Sequence, residues 1–409
     1  MVKKILIFIG IVLAFVSCDN HDDEKHFSRT VLVYMAAENN LSARATVDLD
    51  EMLAASFNSK DNALLVYVDR ARSYELPFLA RIRNGRLVDS VSVADINISI
   101  HDPYTSNPDI MERVIKYAFS KYPSENSDYG LVLWGHASGW VIQDDSIANT
   151  SASRPRRAYG GDTGTNSSGS QGDVWLNMYS LGQVLNRVPH LKFLFADCCN
   201  FMCLESLYEL RHAADYIIGS PAEIPGDGAP YQTVVPAMFE PQTFYTSIVD
   251  RYFEQELNTF TVPLSVVKSS SMDDLADATR QALLNMRDTL TKQIYPDMKG
   301  IINYFWTPKF HDVNDFILKY ASAENYQAWK QVFDRTVIYK KMSKRWITAN
   351  DWYYFYGKFD MTEEKFGGVS MFVPQSPNYS STDVYYRKYN EDIKKMSWYY
   401  AVGMDELGW

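Results

Sequence analysis

An α/β fold, with a mostly parallel sheet flanked by helices, is predicted by two features of the sequence. Short, almost uninterrupted apolar runs alternate with segments whose apolar residues recur at helical spacing. Strands that are apolar along their whole length are typical of parallel sheets, which helices cover on both faces. The predicted strands are TVLVYMAA (30–37), ALLVYVD (63–69), YGLVLWGH (129–136), LKFLFADC (191–198) and YIIGSP (216–221).

Two helices and a hairpin join the first of these strands. The stretch SARATVDLDEMLAAS predicts a helix with Ser42 at its N-cap, and PDIMERVIKYAFSKY predicts a second helix over 108–122. RIRNGRLVDSVSV predicts a hairpin that turns at Asn84 and Gly85, because Asn-Gly favours the tight turn of a two-residue loop.

The organisation of the rest of the chain favours one elaborated α/β domain. We expect its core over 29–249, followed by a helical, tyrosine-rich C-terminal subdomain over 250–409 that completes the fold. Within that subdomain GGVSMFVP (367–374) predicts a strand that rejoins a sheet. We find no internal repeat and no clear linker.

The N-terminus has the pattern of an export signal. Residues 1–17 contain two lysines and then an apolar run that is too short to span a bilayer. Ser17 directly before Cys18 resembles the bacterial lipobox, in which the cysteine is lipidated. With an acidic tether over 18–28, this predicts a lipoprotein anchored at the outer membrane and displayed at the cell surface.

Charge and composition argue against only one class of partner, nucleic acids. The chain has a net charge of −10, which argues against binding to a nucleic-acid backbone, and a membrane contact is expected only through the lipid. Its 46% hydrophobic and 22% charged residues are ordinary for a globular protein.

The other three cysteines lie close together in KFLFADCCNFMCLESL (192–207). Cys198 and Cys199 are adjacent, so a disulfide between them would be strained, and Cys199 and Cys203 are four apart. A zinc site normally needs more ligands, and the chain has no C-x-x-C. The remaining possibilities are buried core residues or a nucleophile.

Chemically capable side chains follow two of the predicted strands. His136 ends one strand, flanked by Gly135 and Gly139, and Asp197 and Cys199 end another. If these strands are parallel neighbours, an imidazole and a thiol lie on the same edge of the sheet, as functional residues do in open α/β sheets. Such a pair can supply the nucleophile and the proton-transfer group of an acyl transfer, and a structural role for each residue is the competing interpretation.

A long polar insertion separates the two candidate residues. We expect a processing loop over about 141–175. Within it, residues 151–173 are rich in glycine, serine, arginine and asparagine and have little to bury, so this stretch is either disordered or functional. Asp162, Gly164 and Asn166 have a weak likeness to a calcium loop, but the full spacing and the terminal glutamate are missing. The sequence predicts no metal and no cofactor, and it leaves calcium dependence open.

These motifs, in this order, resemble the clostripain (C11) family of cysteine peptidases, which has a caspase-like fold. TVLVYMAAENNL resembles the opening strand of that family, LVLWGHASGW its histidine motif and FLFADCCNFMCLESLYEL its cysteine motif. SPAEIPGDGAPY (220–231) resembles a segment that lines its pocket, and GGVSMFVP its late strand. The likeness is spread over most of residues 30–375.

The resemblance implies a role for each matching residue. His136 is the general base and acid, Cys199 the nucleophile, and Glu205 follows the nucleophile at the spacing of the family. Asp197 is the acid at the base of the P1 pocket, with Asp227 as a second candidate at its edge, which implies cleavage after Arg or Lys.

Some positions depart from the family. Ala137 replaces a common glycine beside Gly135 in the loop expected to contact the oxyanion, and Ala229 replaces a common tryptophan in the pocket wall. The residues CCNFMC also differ from those that usually surround the nucleophile, and Cys198, at an alanine position, is expected to pack in the core.

Relatives are made as precursors and cut between the histidine and cysteine motifs. The insertion offers Arg154, Arg156 and Arg157 for such a cut, and Pro155 protects the bond after Arg154. The resemblance therefore implies processing after Arg156 or Arg157, and a merely basic, solvated loop is the competing interpretation.

These observations favour one function, leave one alternative and argue against a third. The main prediction is a cysteine endopeptidase that cleaves peptides after Arg or Lys through a thioester acyl-enzyme. The alternative is an inactive lipoprotein of the same fold that acts as a binding module. A serine hydrolase is not supported, because GHASG (135–139) lacks the G-x-S-x-G spacing, and no H-E-x-x-H motif is present.

Overall fold

The fold was analysed in a computed structural model. The structure describes residues 26–72, 75–96, 98, 105–142, 158–163, 174–255, 262–287, 295–348, 353–354, 359–376 and 384–409. The strands are β1 (Arg29–Ala37), β2 (Asn62–Arg70), β3 (Phe78–Arg83), β4 (Arg86–Ser92), β5 (Tyr129–Gly135), β6 (Tyr159–Asp162), β7 (Val174–Leu176), β8 (Leu191–Asp197), β9 (Ala214–Gly219), β10 (Leu264–Lys268), β11 (His311–Asp312), β12 (Val337–Lys341), β13 (Ile347–Thr348), β14 (Tyr353–Tyr354) and β15 (Ser370–Met371). The helices are α1 (Ser42–Ala54), α2 (Pro108–Lys121), α3 (Met178–Leu185), α4 (Leu204–Glu209), α5 (Tyr231–Met238), α6 (Phe244–Phe253), α7 (Met272–Met286), α8 (Val313–Tyr320), α9 (Ala323–Thr336), α10 (Val384–Asp392) and α11 (Ser397–Ala401).

Nine strands form the central sheet, in the order β12-β10-β9-β8-β5-β1-β2-β3-β4. The five middle strands, β9, β8, β5, β1 and β2, are parallel, and antiparallel strands extend the sheet at both edges. The middle strands are those that the apolar runs predicted. The α/β prediction with a mostly parallel sheet is confirmed, and the carboxyl ends of β5 and β8 lie side by side.

Helices cover both faces of this sheet, and strand β1 shows why. Its residues are buried along the whole strand, but they alternate between two separate cores. Leu32 and Tyr34 pack into the core that contains residues of α2, α3 and α4. Val31 and Val33 pack into the core that contains residues of α1, α5 and α6. The period of two thus gives each face of the sheet its own apolar layer.

The hairpin and the first helix differ in how well the sequence predicted them. Strands β3 and β4 pair around Asn84 and Gly85, which both have positive φ angles of 52° and 72° and therefore suit the tight turn. The predicted N-cap role of Ser42 is wrong, because Leu41 precedes the helix and no side chain caps it. The Ser42 hydroxyl instead accepts a hydrogen bond from the Ala71 N–H at 3.0 Å.

Residues after 250 supply two strands of the central sheet as well as helices. Strand β10 pairs antiparallel with β9, and β12 pairs with β10. The late segment around β15 pairs with β11 in a separate two-stranded sheet, and Ser370 forms a bridge to Cys203. It therefore reaches the elements that follow β8 and brings the C-terminal part of the chain against the candidate site.

Some predicted features fall outside the described residues. Cys18 and the signal segment are among them, and so are Arg154, Arg156 and Arg157 of the insertion. Within the described ranges, no helix is both long enough and apolar enough to cross a membrane.

Candidate active site

The two candidate reacting residues follow neighbouring strands at the same level of the sheet. In the parallel pairing of β5 with β8, Trp134 lies opposite Asp197. His136 and Cys199 each come two residues later. The register therefore brings the imidazole and the thiol to one edge, as the sequence predicted from the ends of the apolar runs.

Two glycines let the loop after β5 approach its neighbours closely. A Cβ on Gly139, where φ is +60°, would stand 2.6 Å from the carbonyl oxygen of Asn200, so the histidine loop packs directly against the turn that contains Cys199. A Cβ on Gly135, where φ is +136°, would stand 2.8 Å from the carbonyl oxygen of Ala36 in β1. Both contacts exclude a side chain, and both positive φ angles favour glycine.

The His136 ring is oriented by a partner from the end of β1. Its Nε2 lies 2.6 Å from Oδ1 of Asn40. Trp175 of β7 packs against the same ring, with centroids 6.0 Å apart. The main chain is held by β6, because the Gly160 N–H donates to the His136 carbonyl at 2.8 Å and the Ser138 N–H donates to the Ala158 carbonyl at 2.9 Å.

The three cysteines have different environments. Cys199 is half-buried, whereas Cys198 and Cys203 are fully buried. Burial raises the pKa of the Cys198 thiol well above its ordinary value, and it raises that of Cys203 to about 12. Nucleophilic chemistry needs an accessible thiolate, so Cys199 is the best placed of the three.

The turn that contains Cys199 is fastened to the segment expected to line the pocket. The Ile224 N–H donates to the Cys199 sulfur at 3.4 Å. The Asn200 side chain donates to the Pro221 carbonyl at 2.9 Å, and the Asn200 N–H donates to the Ala222 carbonyl at the same distance. These bonds make the strand-end turn and residues 220–224 one connected wall beside the thiol.

Asp197 lies at the bottom of this wall and is only 2% exposed. Its Oδ2 accepts hydrogen bonds from the Ala229 N–H at 3.0 Å and the Tyr231 hydroxyl at 2.9 Å, and its Oδ1 accepts one from the Tyr252 hydroxyl at 3.1 Å. Burial raises the pKa of Asp197 to about 6, although the three donors act in the opposite direction.

Sequence reasoning did not identify Asp48, a second buried carboxylate beside Asp197. It lies on α1, and its Oδ2 accepts a hydrogen bond of 2.6 Å from the Trp134 indole N–H. Burial, and next the charge of Asp197, raise the pKa of Asp48 to about 8. Its position in a helix whose apolar spacing looked ordinary gave no signal that it faces the end of β8.

Asp227 has a different environment from these two acids. Its side chain is about half exposed and forms an ion pair with the equally exposed Arg44. The side chain of Asp227 is thus at the surface, with its charge already paired.

Glu205 ties the cysteine segment to the late strand. It is fully buried, and its Oε1 accepts a hydrogen bond of 2.6 Å from the Phe372 N–H, while its Oε2 has no hydrogen-bond partner. Burial raises the pKa of Glu205 to about 8. The Ser370 N–H also donates to the Met202 carbonyl at 2.9 Å. The residues directly after Cys199 are therefore held by a segment that lies near the other end of the chain.

One group of residues in the described ranges has the composition that a metal ion could use. Glu38, Asp69 and Asp162 are buried, and one oxygen from each lies within 4.8 Å of the others. Thr163 donates to Glu38 at 3.0 Å, and the hydroxyl of Thr105 donates to Asp69. Gly164 and Asn166 of the weak calcium-like pattern lie outside the described residues.

The model of the clostripain family (peptidase C11) matches residues 33–409 of the chain. No curated protein sequence gave a significant match.

Several solved structures have a similar fold. A secreted C11 cysteine protease from Bacteroides thetaiotaomicron, in complex with an irreversible peptide inhibitor, is 30% identical, with a TM-score of 0.72 over 93% of this chain and 99% of that one. An inactive zymogen C11 protease from Parabacteroides distasonis is 24% identical, with a TM-score of 0.70 over 92% and 99% of the two chains. A cysteine protease from B. fragilis is 29% identical, with a TM-score of 0.50 over 58% of this chain and 97% of that one.

Proposed function

Because the chain belongs to the clostripain family of cysteine peptidases, we propose that Cys199 and His136 form its catalytic dyad. The observation that carries this proposal is the register of β5 and β8, which brings the two side chains to one edge of the sheet. The partial exposure of Cys199, against the full burial of its two neighbouring cysteines, supports its assignment as the nucleophile.

The dyad works by moving one proton. His136 takes the proton of the Cys199 thiol while the sulfur attacks the carbonyl carbon of the scissile peptide bond. The tetrahedral adduct collapses as His136 gives this proton to the leaving amine, which leaves a thioester on Cys199. His136 then takes a proton from water, whose oxygen attacks the thioester, and returns it to the departing sulfur.

Asn40 sets the tautomer of His136 that these proton transfers require. An amide oxygen can only accept a hydrogen bond, so its contact with Nε2 of His136 places the ring hydrogen on that nitrogen. In the neutral ring the lone pair is then on Nδ1, which becomes the atom that accepts the thiol proton.

Stabilisation of the developing oxyanion is assigned to backbone N–H donors of the loop after β5. Gly135 and Ala137 flank the histidine, and a loop without bulky side chains lets the main chain approach a substrate carbonyl. The backbone bonds between this loop and residues 158–160 use the His136 carbonyl and the Ser138 N–H, so the Ala137 N–H takes no part in them.

Specificity for Arg or Lys at P1 is assigned to Asp197, with Asp227 at the rim. Asp197 lies at the end of β8, two residues before the nucleophile, and its buried carboxylate favours a cationic side chain through a charge-assisted hydrogen bond. Asp227 contributes only when Arg44 releases it, because the two form an ion pair in the free protein.

Activation by a cut in the insertion is also proposed, at one of the bonds after Arg156 or Arg157. Ala158 is 1% exposed, and its carbonyl accepts the Ser138 N–H. A peptidase needs extended chain on both sides of the bond, so cleavage of Arg157–Ala158 requires this pairing to open. The Arg156–Arg157 bond lies one residue farther from the buried alanine and is the favoured site.

The N-terminal pattern supports a lipid anchor on Cys18 and display at the outer membrane, and fractionation of cells tests this. The protein is expected in the membrane fraction, whereas a Cys18→Ser variant is expected to leave it. A variant that remains in the membrane fraction argues against lipidation of Cys18.

The main test compares peptides that differ only at P1, with Arg, Lys, citrulline or Asp. We expect turnover for Arg and Lys, little for citrulline, which has the shape of Arg without its charge, and none for Asp. Cys199→Ala should abolish turnover and keep the chain intact. No turnover by the wild type, as for an inactive binding module, or equal turnover by the variant, argues against the proposal, and processing that persists in Cys199→Ala excludes self-cleavage.

A further inference from the structure

We infer that Asp48 is a second specificity-determining acid of the P1 pocket, so that the cation of the P1 side chain lies between Asp48 on α1 and Asp197 at the end of β8. This inference rests on the proposed preference for Arg or Lys and adds a residue to it.

Asp197 has little remaining capacity to accept hydrogen bonds. A carboxylate has about four lone-pair directions. Ala229, Tyr231 and Tyr252 already donate to this one. Asp197 thus has room for about one more donor, whereas a lysine ammonium has three N–H groups and an arginine guanidinium has five. A buried P1 cation needs another acceptor, since an unsatisfied charged donor is costly away from water.

Asp48 has the free capacity that Asp197 lacks. The Trp134 indole N–H is the hydrogen-bond donor that Asp48 has among the described residues, and it contacts only Oδ2. That bond also holds the Asp48 side chain in place. Because Trp134 lies opposite Asp197 in the sheet, the bond holds Asp48 near Asp197. An anchored carboxylate with unused acceptor positions is suited to receive a ligand.

Gly228 lies directly against both carboxylates. A Cβ placed on this residue would stand 3.0 Å from Oδ2 of Asp197 and 3.3 Å from Oδ2 of Asp48. Both acids therefore converge on one residue of the segment inferred to line the pocket. This glycine has a φ of +61° and no side chain, which lets its backbone approach both carboxylates.

The face of α1 that contains Asp48 is directed at the same segment. Arg44, Asp48 and Glu51 follow one another at helical spacing, and each contacts it. Arg44 pairs with Asp227, Asp48 approaches Gly228, and Glu51 accepts the Tyr231 N–H at 2.8 Å. This polar stripe gives α1 a second role besides packing on the sheet.

The two carboxylates of Asp48 and Asp197 also predict how the binding of an Arg substrate depends on pH. The groups that face Asp48 are the acids Asp197, Glu51 and Asp227, the phenols of Tyr231 and Tyr252, and the Trp134 indole as donor, with Arg44 beyond Asp227. Burial and the charge of Asp197 raise the pKa of Asp48 to about 8, so near pH 7 the empty pocket retains a proton on this carboxyl. An entering cation favours the ionised form, and the proton leaves to solvent. The KM for an Arg substrate should therefore fall as the pH rises from 6 to 9.

The test uses Asp48→Asn, with Asp50→Asn as the matched control. Asp50 is exposed on the same helix, so its change removes the same charge away from the pocket. An asparagine at 48 keeps an oxygen for the Trp134 N–H, which should preserve the fold. For Arg and Lys peptides we expect KM to rise at least about tenfold in Asp48→Asn, with kcat changed less than about threefold. The KM for a citrulline peptide should be unaffected, and the control should match the wild type.

The outcomes separate this inference from the proposed function. If the wild type prefers Arg and Lys but Asp48→Asn has the KM of Asp50→Asn, Asp48 is not part of the pocket and the preference stands. If the wild type has no preference for a basic P1 residue, the proposed specificity fails and this inference fails with it. As a second measurement that needs no variant, a wild-type KM for the Arg peptide that stays constant between pH 6 and pH 9 also overturns the inference.

Discussion

Nε2 of His136 lies 2.6 Å from Oδ1 of Asn40, which places a residue from the end of β1 in direct contact with the proposed base at the end of β5. The contact orients the ring. Loss of such a bond at a group that becomes charged during the reaction costs about 1.5–3 kcal/mol.

Asn40→Ala is therefore expected to lower kcat about tenfold or more, with a smaller change in KM. The alkylation rate of Cys199 by iodoacetamide should also fall, because His136 would accept the thiol proton less well. Asn40→Asp should retain more activity, since it keeps an oxygen for Nε2. Full activity in Asn40→Ala would mean that the contact does not orient the base.

Substitution of the neighbouring cysteine should affect stability and not chemistry. Cys198→Ala removes a fully buried sulfur, and we expect a loss of about 1 kcal/mol in the free energy of unfolding. Peptide turnover should remain within about twofold of wild type, whereas Cys199→Ala abolishes it. The reverse result, in which Cys198→Ala is inactive and Cys199→Ala is active, would exchange the two assignments.

Glu205 should make the protein less stable as the pH rises. Burial raises the pKa of this carboxyl to about 8, so between about pH 4.5 and pH 8 the native state binds a proton that the unfolded chain has lost. Stability falls with increasing pH over that range. Glu205→Gln keeps an acceptor for the Phe372 N–H and cannot ionise, so it should become more stable than the parent by on the order of a few kcal/mol near pH 8, and by much less at pH 5.

The measurement is urea unfolding at pH 5 and pH 8.5 in the Cys199→Ala background, where the chain cannot digest itself. Glu363→Gln, a change at an exposed position, serves as the control. A pH-independent difference between Glu205→Gln and its parent would contradict the assignment of the proton to Glu205.

Gly135→Ala is expected to cost both stability and activity. A Cβ there meets the Ala36 carbonyl oxygen at 2.8 Å, in addition to the cost of a positive φ. Gly300→Ala is the control, because Gly300 also has a positive φ, of +81°, but no atom within 4 Å of the added Cβ. We expect Tm to fall several degrees further for Gly135→Ala than for Gly300→Ala. Equal shifts would show that the contact with β1 is not tight.

The sequence predicted the middle of the sheet better than its edges. The five fully apolar runs correspond to the five parallel strands, because strands buried on both faces need no polar residues. Strands β10 and β12 were not predicted, since LSVVK and VIYKK are short and end in lysine in a region that otherwise has a helical pattern. Strand β10 takes its place by pairing with β9, and β12 takes its place by pairing with β10, and both pairings are long-range.

In the candidate site, too, some residues could be predicted from local sequence, whereas others depend on contacts that are distant in sequence. His136, Asp197 and Cys199 could be identified because they follow strongly apolar strands, and position at a strand end is a local signal. Asn40 follows β1 in the same way and could have been found by that rule. Asp48 could not, because a polar residue in an amphipathic helix has no visible partner until the helix is packed against Trp134.

The bonds from Ser370 and Phe372 to the residues after Cys199 have a consequence for the order in which the enzyme matures. The ribosome makes the proposed nucleophile, Cys199, about midway through synthesis, but Ser370 is added only 171 residues later. A nascent or prematurely terminated chain therefore lacks the brace on its reactive turn. A chain whose synthesis stops before this brace is therefore expected to have a less ordered turn around Cys199 than the complete chain.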